Sequence, residues 1–289
     1  MESRRALAIA LVLTASYTVI EVVGGIVSGS LALLADAVHM LSDNVALALA
    51  LVAAWLATKP ATPERTYGYK RAEVLAALAN GVLLVALAIW IFIEAAMRLR
   101  DPGDVLGGWM LAIALIGLVV NVAAGVVLSR ARSHSLNVEA AFRHVFADLL
   151  GSLGVAIAAI VILATGWVEA DPLVSILIGV LVLASAWSIL RDSTEILLES
   201  TPRGIDAGEL GRRLAAAPGV VEVHDLHVWT ITSGFPALSA HVLVRPGEDC
   251  HARRRELEDL LRDEFGIDHT TLQVDHAGNG GLVELGRFA

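Results

Sequence analysis

The stretch Ala35-Asp36-Ala37-Val38-His39-Met40-Leu41-Ser42-Asp43-Asn44 sits inside an apolar segment covering residues 31–56. That segment is long enough to cross a bilayer as one helix, which takes about 20 residues. His39 and Asp43 are four apart, so on a helix they stack on one face, and Asp36 flanks them three residues earlier. A carboxylate at bilayer depth costs about 2.5–3.5 kcal/mol on insertion scales. A helix that carries one points it at a partner, a cavity or an ion. The pattern recurs once, as His144-Val145-Phe146-Ala147-Asp148.

Working outward, the apolar residues are unevenly spread. The 289-residue chain is 56% hydrophobic with a mean hydropathy of +0.69, above the roughly 45–50% apolar content of ordinary soluble proteins. Apolar residues dominate up to position 198 and thin out beyond it. Six segments are each long enough to span: 6–27, 31–56, 74–97, 109–128, 141–164 and 172–190. Ser28-Gly29-Ser30 links the first two as antiparallel neighbours, and Asp101-Pro102-Gly103-Asp104 is a turn signal. Trp109 and Trp167 fall where interfacial aromatics are expected. The expectation is an all-α six-helix membrane domain, 1–198, followed by a small α+β domain, 199–289.

Loop charge sets the orientation. Arg4, Arg5, Lys59, Arg65, Lys70, Arg71, Arg130, Arg132, Arg143 and Arg191 fall on one side, and only Arg98 and Arg100 on the other. The positive-inside rule puts both termini in the cytoplasm. The N-terminal segment has no small-residue cleavage site and reads as a first span. A single cysteine, Cys250, excludes an intrachain disulfide and suits a reducing compartment. The net charge of −9 gives no basic footprint for nucleic acid.

In the tail, 206–217 reads as a helix, 220–231 and 237–244 as strands around the turn Ser233-Gly234-Phe235-Pro236, 250–265 as a charged amphipathic helix and 270–275 as a third strand. The order αββαβ fits helices layered on a sheet.

Packed together, the two His/Asp helices bring two imidazoles and two carboxylates to one place. Four N/O ligands suit a tetrahedral divalent ion, zinc above all. With no cysteine and only Met40 nearby, Cu(I) is disfavoured, and the histidines argue against magnesium or calcium. A single His–Asp pair also serves as a packing hydrogen bond between helices. Two copies on different helices, set against the insertion cost, favour the ion. Glu21, with Tyr17, either lines an ion path or bonds a neighbour, and Gly151, Ser152 and Gly154 read as close-packing residues. Neither a His-Glu-x-x-His helix nor a Gly-x-Ser-x-Gly turn is present, which weighs against a membrane metalloenzyme. Paired ligands within the spans weigh against a membrane-anchored sensor.

The tail holds six of the nine histidines: His224, His227, His241, His251, His269 and His276. Gln273 and Asp275 are two apart, on one strand face.

Four runs carry a resemblance: Ser30-Leu31-Ala32-Leu33-Leu34-Ala35-Asp36-Ala37-Val38-His39, Arg65-Thr66-Tyr67-Gly68-Tyr69-Lys70-Arg71-Ala72-Glu73, His134-Ser135-Leu136-Asn137 and Val223-His224-Asp225-Leu226-His227-Val228-Trp229. Over nearly its whole length the chain resembles the cation diffusion facilitator family, membrane exporters of zinc and related divalent ions. The resemblance implies a transport site of His39, Asp43, His144 and Asp148, and tail zinc ligands at His224, His241, His251 and Asp275. It implies a homodimer with a ferredoxin-like αββαβ tail, in the bacterial inner membrane, exchanging zinc, with cadmium or cobalt also accepted, for protons. Arg65 and Tyr69 stand where some members bind a further metal between spans two and three, so that site is expected to be absent. Only His134 represents the His-rich loop many members carry between spans four and five. Gln273 replaces a histidine of some relatives.

Overall fold

The computed structural model describes residues 2–131 and 136–278; the side chains of 2–8, 43, 46, 47, 50, 51, 54, 57, 130, 131, 136–141, 143 and 144 are outside that description. Among the described residues, six long helices come first: α1 (Glu2–Ser28), α2 (Leu31–Ala57), α3 (Ala72–Arg100), α4 (Gly107–Ala131), α5 (Leu136–Thr165) and α6 (Ala170–Leu197). Each contains an expected span and extends past it. The extensions are helical because backbone hydrogen bonding continues beyond the apolar window; α3, for example, runs through Arg98 to Arg100. Five of the six hold a described stretch apolar enough to cross a membrane, and the described apolar part of α2 is Leu31–Ser42.

The tail follows as α7 (Ala207–Ala215), β1 (Val220–Thr232), β2 (Phe235–Val244), α8 (Cys250–Phe265) and β3 (His269–His276). The strands are ordered β1-β2-β3, with β1 antiparallel and β3 parallel to β2. The parallel pair follows from the crossover through α8. Both helices start on an aspartate cap: Asp206 accepts from the Glu209 N–H, and Asp249 from those of His251 and Ala252.

By mutual packing the chain divides into two units, one of Met1–Val52 with Ala76–Leu190 and one of Ala53–Leu75 with Arg191–Ala289. The segment linking α2 to α3 thus groups with the tail.

In the first unit, α4 packs broadly against α1 and α5. α1 and α2 are joined through Gly29, at φ +71°, where a Cβ would stand 2.8 Å from the Asp104 carbonyl. Only glycine accommodates both demands. The exterior of this unit is apolar: Val19, Ile26, Val119, Leu181 and Trp187 are exposed, while Glu21, Asp36, Asp148 and Asp171 are buried. That inversion is what a lipid solvent selects.

In the second unit, Leu210 and Leu214 of α7 and Leu257 and Leu261 of α8 pack with Val228, Leu238, Ala240 and Val242 of the sheet. The segment before α3 is fastened to this domain. The Tyr67 ring meets His269 edge-on at 5.8 Å, and Lys70 Nζ lies 3.9 Å from the Phe235 ring centre. Arg71 pairs with Glu199 at 2.9 Å, and the Thr232 hydroxyl donates to Glu73 at 3.0 Å.

Candidate metal site

α2 and α5 carry the intramembrane residues. His39 is half-buried on α2, and Asp148 is buried on α5. Asp43 and His144 stand one turn from them on the same helices; their side chains lie outside the described residues. Asp36 lies within electrostatic range of both His39 and Asp148. The two helices therefore bring one histidine and two carboxylates into one polar neighbourhood.

α1 and α4 complete that neighbourhood. Glu21 faces Asp36, and the Tyr17 hydroxyl donates to Glu21 Oε1 at 3.1 Å. Ser152, one turn beyond Asp148, stands beside Tyr17 and Asp36 and accepts from Asn121 Nδ2 at 3.2 Å. Gly151 makes room for the carboxylate: a Cβ there would stand 2.9 Å from Asp36 Oδ1. Glu21 bonds within its own helix and also faces Asp36. Gly151, read from sequence as a packing residue, packs against a carboxylate. The spacing signal was available, since Asp148, Gly151 and Ser152 share one helix face.

In the tail, β-sheet register lines up three candidates. His224 of β1 pairs with His241 of β2, which pairs with Gln273 of β3. The His224 and His241 rings meet edge-on with centroids 5.4 Å apart. A bulge between His224 and His227 puts Asp225 at φ +53°, in the left-handed region. Its carboxylate thereby reaches His227 Nε2 at 2.9 Å and His241 Nε2 at 3.9 Å. The His227 hydrogen bond holds the Asp225 carboxyl below its ordinary pKa. Asp275 accepts from Gln273 Nε2 at 2.8 Å. His251 stands in the first turn of α8, its backbone N–H on Asp249. Cys250 Sγ lies 3.6 Å from His276 Nε2, which also meets the Glu248 carbonyl at 2.9 Å.

Among the described residues, no three His, Cys, Asp or Glu side chains are grouped closely enough to hold one ion. The intramembrane ligand set is described only in His39 and Asp148. The tail set is brought together in His224 and His241, with Asp275 one strand away. His134 lies outside the described residues. Arg65, at the place of a metal ligand in some relatives, stacks over the Tyr69 ring at 4.6 Å. It also lines a cavity of about 730 Å³ in the second unit, with Tyr67, Arg71, His227 and Trp229.

A family model described as the cation efflux transmembrane domain matches residues 7–198, and one described as the cytoplasmic domain of cation efflux proteins matches 202–277. The chain is 43% identical to the metal cation efflux system protein CzcD of Cupriavidus metallidurans, over 95% of this chain and 87% of that one. It is 42% identical to a cadmium, cobalt and zinc/H(+)-K(+) antiporter of Bacillus subtilis, over 94% and 89%. It is 45% identical to the zinc transporter ZitB of Shigella flexneri, over 91% and 84%.

Proposed function

The chain belongs to the cation efflux family, integral membrane transporters rather than enzymes, and we propose that it exports zinc from the cytoplasm in exchange for protons. The reading takes 1–198 as the transport domain and 199–289 as a cytosolic metal-binding and dimerisation domain. It places the chain as a homodimer in a bacterial inner membrane with both termini cytoplasmic, as the loop Arg and Lys residues favour. The observation that carries it is the convergence of α2 and α5, which brings the buried Asp36 and Asp148 and the half-buried His39 into one polar neighbourhood.

The transport ligands are His39, Asp43, His144 and Asp148. Zinc arriving from the cytoplasm displaces protons from the imidazoles, because a ligand nitrogen binds metal only when deprotonated. Rocking of the bundle exposes the same site to the far side. There protons compete with the ion for the same ligands and release it. Cadmium and cobalt, similar borderline ions, are accepted as well; relatives are named for all three metals.

In the tail, His224, His241, His251 and Asp275 would hold further zinc. Two facing imidazoles are chemically suitable donors, and Asp275 stands two positions along β3 from Gln273, the register partner of His241. Bound there, zinc would supply a cross-link that draws the histidine-bearing strands of the dimer together in response to cytosolic metal.

The test is zinc uptake into inverted vesicles containing the full-length chain, with the pH gradient imposed or collapsed. Uptake that depends on the gradient and drives counter-flow of protons is expected. Zinc binding without uptake in either condition would overturn the exporter reading.

A further inference from the structure

The N-terminus of α2 is held by side chains from two other helices. Asp171, in the first turn of α6, is fully buried. Its Oδ1 accepts from the Ser30 hydroxyl at 2.5 Å and from the Ala32 N–H at 3.1 Å, and its Oδ2 from the Leu31 N–H at 2.8 Å. The Ser30 hydroxyl in turn accepts from the Leu33 N–H at 3.1 Å. Three of the four N–H groups left open at the start of α2 are thereby engaged, two of them by a carboxylate from another helix. Arg98, near the end of α3, closes the cluster. It donates to the Gly29 carbonyl, bonds Glu94 at 2.9 Å and lies 3.8 Å from Asp171 Oδ2.

A helix cap is ordinarily supplied in cis by the N-cap residue, and Ser30 already does this. The added carboxylate therefore does more than finish α2: it ties α2 to α6, with Arg98 adding α3. The partners of its two oxygens are a hydroxyl, two backbone N–H groups and a guanidinium, all of which suit an acceptor. Further along, between His39 and Asp43, the buried Ser42 hydroxyl donates to Asn80 of α3 at 3.2 Å, a bond that a swing of this part of α2 has to exchange. Asp148, on α5, belongs instead with the closely packed α1, α4 and α5. From Leu31 to His39 is eight residues, about 12 Å of helix, so the tie does not touch the ligands.

We propose that Asp171 is a positioning residue that anchors the first turn of α2 to α6 and α3, making that turn the pivot about which the ligand-bearing part of α2 swings between its two exposures. The inference rests on the transport reading above. Losing the tie slows the swing and leaves the ion's resting affinity unchanged.

The experiment compares full-length wild type, Asp171→Ala, Asp171→Asn and the double variant Asp171→Ala with Ser30→Asp in proteoliposomes. It measures zinc turnover and KM, zinc affinity by calorimetry and thermal stability. Ser30→Asp replaces the neutral cap in cis with a charged one at the helix N-terminus without rejoining α6. The expected result is turnover reduced about tenfold in all three variants, with zinc affinity within about twofold of wild type. Stability is expected to recover in the double variant while turnover does not. Asp171→Asn, which keeps the volume and one acceptor oxygen, carries the test if the alanine variant does not fold. Wild-type turnover in Asp171→Asn, turnover rescued by Ser30→Asp, or loss of turnover matched by equal loss of affinity would each overturn the pivot. A wild-type protein that moves no zinc would instead overturn the transport reading.

Discussion

Asp148 of α5 is 3% exposed and has Asp36 as an acidic neighbour, while Glu264 of α8 lies at the tail surface, its carboxylate bonded to Arg213 Nε at 2.8 Å. The same functional group is thus used in two ways. At the tail surface water solvates the charge, an ion pair adds little, and many such pairs dispersed over α8 mainly keep the domain soluble. Within the bundle each carboxylate is costly to insert, so a cluster of Glu21, Asp36 and Asp148 persists only where it has a task. Chemistry is therefore concentrated where charge is expensive. Function in the tail is instead expected from exposed histidines aligned by strand register.

Substitutions sharpen this contrast. The largest effect is expected from His39→Ala, which removes an intramembrane ligand: zinc-driven proton flux in vesicles should fall by a factor of about 100 or more, with the protein still eluting as a folded dimer. Flux near the wild-type level would place the ion elsewhere. Gly151→Ala should follow, because its Cβ would stand 2.9 Å from Asp36 Oδ1 and displace a carboxylate without removing any ligand. A drop in flux of about tenfold is expected, and unchanged flux would mean that the position of Asp36 is immaterial.

In the tail the expected effects are on stability. Leu261 is fully buried between α8 and the sheet. Leu261→Ala should cost about 2–5 kcal/mol, read as faster hydrogen exchange across β2 with flux per folded protein retained. The smallest effect is expected from the surface pair. The Arg213 hydrogen bond holds the Glu264 carboxyl below its ordinary pKa. A folded-state pKa lowered in this way contributes stability at pH values above the unfolded pKa, lost as pH falls through the folded value. Glu264→Gln should therefore lower the Tm slightly at pH 7, and the two proteins should converge in acid. A difference that grows as pH falls would contradict the sign.

Much of this was legible in the residues. Hydropathy located six helices, and the expected spacing of His39 with Asp43 and of His144 with Asp148 falls on two of them, α2 and α5. The tail elements were readable from turn residues and strand composition, because those are local signals. Three features were not local. Asp171 stands just ahead of the sixth apolar segment with no local signal of its partner; its role as a cap for α2 exists only once α6 is packed beside Ser30. Glu21 could be placed only as deep, because its partner Asp36 is on the next helix. The grouping of Ala53–Leu75 with the tail depends on Tyr67, Lys70 and Arg71 meeting residues more than 100 positions later. Spacing rules see one helix or strand at a time, whereas these arrangements are made between elements.

The most direct measurement is zinc-driven proton flux in proteoliposomes holding Asp148→Ala and His241→Ala side by side, at matched protein incorporation. The account predicts no flux from Asp148→Ala. It predicts near-wild-type maximal flux from His241→Ala, with only its dependence on cytosolic-side zinc shifted. Flux retained by Asp148→Ala, or abolished by His241→Ala in a folded protein, would contradict the claim that transport is carried by the buried residues of the membrane domain.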